Sequence, residues 1–266
     1  MAKDYAAIAR QRIVKSGSTP REPRFLIYGR NKKGKTHFCA TAPDVLILDP
    51  EDGTKYESDK DVWHIDTWDD VNEALSFLRL GKHKYKWVAV DGMTRVANMA
   101  LRFVMRQAQE RALDQQPVQI QIQHYGRAGE MVKTMLHTLH SLRNMGVILT
   151  AQERMVEVAE LDDVDDDDAT PASYQFVPDV PKGARSALNA IVDLTGRIYV
   201  VKGEFSRRVR RDGKVVEEEY TRERRLLIGP EEMYETGYRS EHVLPDFIVN
   251  PTVPRVVKAM REGIKS

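Results

Sequence analysis

The stretch that most constrains this chain is Gly29-Arg30-Asn31-Lys32-Lys33-Gly34-Lys35-Thr36. It follows directly on the apolar run Phe25-Leu26-Ile27-Tyr28 and leads into a segment compatible with a helix. The spacing G-x-x-x-x-G-K-T between a strand and a helix is that of a loop that wraps phosphate groups. Glycines let the backbone come close to an anion, so that successive amides and the start of the helix point at phosphate oxygens. Lys35 then reaches the terminal phosphates and the Thr36 hydroxyl ligates magnesium. At average composition such a string arises by chance about once in a hundred chains of this length. Residues 29–37, ending at His37, are the expected nucleotide-binding set, with ATP and Mg2+ as ligands.

A magnesium-nucleotide site also needs a carboxylate at the end of another strand, and Trp87-Val88-Ala89-Val90-Asp91 provides an apolar strand ending in one. Asp91 is the expected metal partner, and an aspartate here also suits the start of the helix that follows. Hydrolysis needs a group that orients or deprotonates water. The run Leu48-Asp49-Pro50-Glu51-Asp52-Gly53 ends a second strand on the side that faces the ligand crevice of a parallel sheet. Asp49 and Glu51 are expected to project towards the nucleotide, with Glu51 as the base. A plain turn, with Asp and Gly present for backbone reasons, is the competing reading.

Short apolar runs at residues 25–28, 45–48, 62–65, 87–90, 147–150 and 197–201 alternate with helical patterns at 69–80, 93–112 and 128–145. That order predicts an α/β fold with a mainly parallel, helix-covered sheet. After residue 201 the pattern changes. SRRVRRDGKVVEEEYTRERRLLIG places Asp212 and Gly213 between two alternating runs, the mark of an antiparallel hairpin in which Arg207 faces Glu218 and Arg208 faces Glu217. The expected division is a basic N-terminal arm over 1–22, a core over 23–203 that includes an acidic loop at 158–172, and a hairpin with C-terminal appendage over 204–266.

With 41 Lys and Arg against 40 Asp and Glu, the net charge of +1 gives no global field to hold a polyanion, so any nucleic-acid contact has to be local. No apolar run approaches the ~18 residues of a membrane span, and the start places charges where a signal peptide would have its apolar stretch, so a cytoplasmic location is expected. The single cysteine, Cys39, allows no internal disulfide and reads as a small buried side chain. His137 and His140, three apart on one helix, have no third ligand in view and read as surface residues.

In the order GRNKKGKT, LILDPEDGT, WVAVD, a helix preceded by Tyr125-Gly126, and VILTAQE, the chain resembles RecA-like P-loop ATPases. More narrowly, it is similar to the small phage ATPases of single-strand annealing and recombination. The likeness covers about residues 23–201. It implies that Glu51 activates water and that Gln152 senses the γ-phosphate and relays to DNA loops. Those loops would lie near residues 114–126, rich in amides and carrying Tyr125, and 153–183. It further implies single-stranded DNA as a partner, a self-oligomer in ring or filament form, and a single-strand-binding protein. Arg224, Arg225 and Arg239 fall where RecA-like filaments often offer a positive side chain to the neighbouring subunit's ATP. One departure stands out: seven carboxylates between Glu160 and Asp168 would repel a phosphate backbone. Three rival readings remain: a helicase-like or loader motor, a two-metal nuclease using clustered carboxylates, and a nucleotide-dependent interaction protein without turnover.

Overall fold

The computed structural model describes residues 4–5, 9–10, 13, 21–112, 117–142, 144–157, 174–211 and 214–263. The chain runs β1 (Arg24–Tyr28), α1 (Lys35–Ala40), β2 (Val45–Asp49), a 3-10 turn (Gly53–Tyr56), β3 (Asp61–His64), α2 (Trp68–Leu80), β4 (Trp87–Asp91) and α3 (Met93–Arg111). It continues through α4 (Ile122–Ser141), β5 (Gly146–Ala151), β6 (Glu153–Glu157), β7 (Tyr174–Pro178), α5 (Lys182–Ile191), β8 (Leu194–Arg211) and β9 (Lys214–Leu227). The last elements are β10 (Gly237–Tyr238), β11 (Phe247–Val249) and α6 (Val253–Glu262).

Among the described residues nine strands form one sheet in the order β11-β9-β8-β1-β5-β4-β2-β3, with β10 added to β8. The five pairings from β8 through β1, β5, β4 and β2 to β3 are parallel, and those of β9, β10 and β11 are antiparallel. This is the expected α/β fold, a P-loop NTPase sheet with antiparallel strands at its C-terminal side. The parallel strands are apolar on both sides because both faces are covered. Leu26, Tyr28, Val88, Val90, Val147 and Leu149 pack on one face beneath α2 to α5. Phe25, Ile27, Trp87, Ala89 and Ile148 pack on the other, with Phe38 and Cys39 of α1 and Val253 and Val256 of α6. The period of two along a strand thus splits each run between two cores.

The hairpin register is the one read from the sequence: Arg207 pairs with Glu218 and Arg208 with Glu217. The division expected at 203/204 falls inside β8, and Leu226, Ile228, Leu244 and Ile248 share a buried cluster with β1 and α1. The acidic loop, the turn residues Asp212 and Gly213, and most of the N-terminal arm lie outside the described residues.

Two segments expected as loops hold regular structure. Residues 122–126 belong to the first turn of α4, so Tyr125 stands on a helix. Within 153–183, β6 and β7 form a separate two-stranded antiparallel sheet, and α5 begins at Lys182.

Candidate nucleotide site

The loop after β1 folds over the neighbouring strand. Gly29 has φ 152° and a Cβ there would fall 2.4 Å from the Ile198 carbonyl oxygen of β8, so only glycine fits. Gly34, at φ 101°, leads into α1 and lies beneath the Arg224 side chain. The Lys35 ammonium folds back on the loop, donating to the carbonyl oxygens of Gly29 (2.8 Å) and Arg30 (3.0 Å) and to Gln152 Oε1 (3.5 Å). Burial lowers its pKa, while Asp91 and Glu51 pull the other way. An ammonium held by neutral oxygens is poised to exchange them for phosphate oxygens.

The Thr36 hydroxyl donates to Asp91 Oδ2 at 2.6 Å, and Thr150 donates to Asp91 Oδ1 at 2.7 Å. Asp91 is 5 % exposed, and burial raises its pKa against these two hydrogen bonds. The donor set is all oxygen, as a hard divalent cation requires. Gly53 keeps space open beside it: a Cβ at that position would sit 3.3 Å from Thr36 Oγ1 and 3.7 Å from Asp91 Oδ2. These residues fit Mg2+, which Thr36 and Asp91 would hold.

Asp49 and Glu51 separate into two roles. Asp49, 2 % exposed, accepts four hydrogen bonds. Its Oδ1 receives the amides of Glu51 and Gly53, and its Oδ2 the amide and hydroxyl of Thr54. The expected projection of Asp49 towards the nucleotide is therefore replaced by a structural task, closing the turn at 50–54. That turn presents Glu51 to the cleft. The Glu51 carboxylate lies against Gly92, where a Cβ would come 3.0 Å from Oε1. Partial burial, then Asp91, pushes Glu51 above the usual carboxylate range, with Lys35 opposing. A more basic carboxylate is a better proton acceptor.

Gln152, at the end of β5, is fixed by its backbone as well as by Lys35. Its amide donates to Thr94 Oγ1 (3.2 Å), its carbonyl accepts from the Asp179 amide (2.8 Å), and the Thr94 hydroxyl donates to the Asp179 carbonyl (2.8 Å).

A cleft of about 590 Å³ joins these groups, lined among others by Asn31, Lys32, Lys35, Thr36, His37, Glu51, Asp91 and Gln152. Of the expected binding set, the Arg30 side chain turns aside to Glu153, which also holds Arg197. Lys33 is absent from the lining, and His37 pairs with Glu57. The cleft contains residues that the sequence reading did not place there: Thr150, Tyr56 and Arg224. Tyr56, 85 % exposed, carries the Lys55 ammonium over its ring.

The other two arginines singled out are occupied elsewhere. Arg225 bonds Glu223 and lies 4.4 Å over the Phe247 ring, and Arg239 donates to the carbonyls of Asn189 and Ala190. Asp49, Asp52 and His64 approach within 4.8 Å of one another, but both Asp49 oxygens are already engaged by the turn. Among the described residues no helix is long and apolar enough to cross a membrane.

No curated protein matches the chain. Among solved structures, ATPases 2 and 3 of EssC from Geobacillus thermodenitrificans align at 16 % identity and TM-score 0.31, over 66 % of this chain and 29 % of that one. This chain thus spans less than a third of that protein's length. The family model described as AAA domain matches residues 21–240, a span that contains the phosphate loop, Glu51, Asp91, Gln152 and Arg224. The chain belongs to the AAA domain family, whose P-loop ATPase domain it carries.

Proposed function

We propose that this ATPase is magnesium-dependent and acts as an oligomer on single-stranded DNA, in recombination or annealing of the phage type. The hydrolytic half rests on Lys35, Thr36, Asp91, Glu51 and Gln152 meeting in one cleft. Lys35 and the loop amides bind the phosphates, Glu51 takes the proton of the attacking water, and Gln152 contacts the terminal phosphate. Thr36 and Asp91 would hold Mg2+, which would supply positive charge to neutralise the phosphates. Tyr56 offers a ring face to the base.

The DNA half is carried by a second groove of about 530 Å³ behind Gln152. Its lining includes Thr94, Asn98, Ile122, Tyr125, Arg154 and Lys182, together with the carboxylates of Glu130 and Asp179. An exposed ring, a side-chain amide and cations suit stacking and backbone contact with a single strand. Tyr125 is 58 % and Ile122 90 % exposed. Thr94 belongs to this groove and bonds the backbone on which Gln152 sits, so a shift of Gln152 reaches the groove through one hydrogen bond. The motif order that resembles recombination ATPases supports the same reading.

The test is steady-state ATP hydrolysis with magnesium, with and without single-stranded DNA, in wild type, Lys35→Ala and Tyr125→Ala. DNA stimulation lost in Lys35→Ala and weakened in Tyr125→Ala supports the proposal. Hydrolysis indifferent to DNA, with no DNA binding in any nucleotide state, overturns the DNA half and leaves the ATPase. Directional unwinding of a duplex would select the motor reading instead.

A further inference from the structure

The cleft holds a cation that arrives from the far end of the chain. Arg224 lies on β9, paired with Val200 of β8, and its carbonyl accepts from the Asn250 amide at 2.7 Å. Residues alternate in direction along a strand. Glu223 and Arg225 bond each other on one face, and Arg224 is sent to the opposite face, over the phosphate loop. A Cβ built on Gly34 would fall 2.4 Å from Arg224 Nε and 2.6 Å from Cζ, so the guanidinium lies flat on the loop immediately before Lys35. Its Nε is buried and has no hydrogen-bond partner among the described residues, although Glu51, Asp91 and Glu57 line the same cleft. A guanidinium laid on a phosphate loop with an unused donor is suited to phosphate oxygens.

We infer that Arg224 binds the phosphates of the nucleotide in its own subunit and stabilises the charge that develops during transfer, so that the arginine of this ATPase acts in cis. This rests on the P-loop reading above and adds a residue and a rule of assembly to it. An arginine offered by a neighbour makes hydrolysis depend on oligomer contacts, whereas one carried on β9 does not. Glycine at position 34 is required by its φ of 101°, and a side chain there would also displace the guanidinium.

The experiment uses full-length protein: wild type, Lys35→Ala, Arg224→Gln and Arg224→Lys, assayed for Mg-ATP turnover and for displacement of a fluorescent nucleotide by ATP and by ADP. Arg224→Gln should lose about 10²- to 10³-fold in turnover, the range for removing one donor to developing charge. Its ATP affinity should fall about tenfold or more, and further than its ADP affinity. Arg224→Lys keeps the aliphatic stem and the charge. It should melt with wild type and still lose at least about tenfold in turnover, because one ammonium cannot replace the planar fork.

Mixing Arg224→Gln with Lys35→Ala separates cis from trans. With a neighbour's arginine, the Lys35→Ala subunit would complement its partner and activity would return. In cis the mixture stays inactive, and wild-type turnover per chain is constant on dilution. Recovery in the mixture, or wild-type turnover in Arg224→Gln, overturns the inference. Turnover surviving in Lys35→Ala would instead overturn the P-loop reading. If wild type shows no turnover, the ATP and ADP affinities of Arg224→Gln still decide: equal to wild type, they remove Arg224 from the phosphates.

Discussion

Replacing Asp49 by asparagine tests whether this carboxylate builds the loop or works on the nucleotide. It accepts at 3.0 and 3.2 Å from the amides of Glu51 and Gly53 on Oδ1, and at 2.9 and 2.6 Å from the amide and hydroxyl of Thr54 on Oδ2. Asparagine has one acceptor oxygen. With its NH2 at the Oδ1 position it would face two amide donors. At the Oδ2 position it would face one amide and a hydroxyl that can rotate to accept. The second orientation wins, and it strands the Thr54 amide where Thr54 is 4 % exposed. A stranded buried donor costs about 1–3 kcal/mol, and the two bonds kept at Oδ1 each lose about 1 kcal/mol on becoming neutral. No longer burying a charge offsets part of this, leaving a net loss of about 2–4 kcal/mol.

Urea unfolding at neutral pH reads that loss as a lower midpoint at unchanged slope, by roughly 1–2 M for a slope near 2 kcal/mol/M. Turnover should fall in the same preparation, because the turn that carries Glu51 loosens. Glu51→Gln should do the converse, staying within about 0.5 kcal/mol of wild type and losing about 10²- to 10⁴-fold in turnover with ATP still bound. Asp49→Asn with wild-type stability and lost turnover would refute the reasoning and return Asp49 to the nucleotide. The pH dependence has a definite sign. Burial alone would raise the Asp49 pKa, but the hydrogen bonds from Thr54, Gly53 and Glu51 outweigh it and lower the folded value. The stabilisation is therefore present above the unfolded pKa of about 3.9 and lost as pH falls through the folded value. Wild type and Asp49→Asn should converge in stability at the acid end.

Four further outcomes can be checked. Gly34→Ala meets both the positive φ and the Arg224 guanidinium; titration with a fluorescent nucleotide should show binding reduced at least about tenfold, and unchanged affinity would mean the arginine lies elsewhere. Tyr56→Ala should raise KM with kcat nearly constant, by the ~1–3 kcal/mol of a base stacked on a ring, as steady-state kinetics would show. Asp70 accepts from the amides of Asp66 and Thr67 while its own amide donates to the Thr67 hydroxyl; Asp70→Ala should cost about 1 kcal/mol and lower Tm by about 2–4 °C in a thermal scan. Arg207 is bonded to Glu218 but is an exposed pair, so Arg207→Ala should cost less than about 1 kcal/mol in urea unfolding.

Local pattern made the strand ends around the cleft legible. GRNKKGKT, WVAVD and LILDPEDG each place a chemistry-bearing residue next to an apolar run, and apolar runs of that length become strands wherever the chain folds. The hairpin register next to the turn was legible for the same reason, since a two-residue turn sets the pairings that follow it as far as the shift between Lys202 and Phe205. The first turn of α4 escaped because periodicity marks only residues packed on a core, and Ile122 and Tyr125 face outward. β6 and β7 escaped because they form a small sheet apart from the main one, and Met155 and Tyr174 are exposed.

The amino-acid sequence by itself determined that the GRNKKGKT loop, Asp91 and Glu51 would stand at the ends of parallel strands, because those positions follow from order along the chain. Three things were decided only in the folded protein: Asp49 as the tie of the turn, Gln152 as the link to a second groove, and Arg224 over Gly34 in the same subunit. The last two are contacts between segments far apart in sequence, up to 190 residues for Arg224 and Gly34 by their numbers. Such contacts depend on which strands become neighbours and which face each residue takes, and no local pattern carries that information.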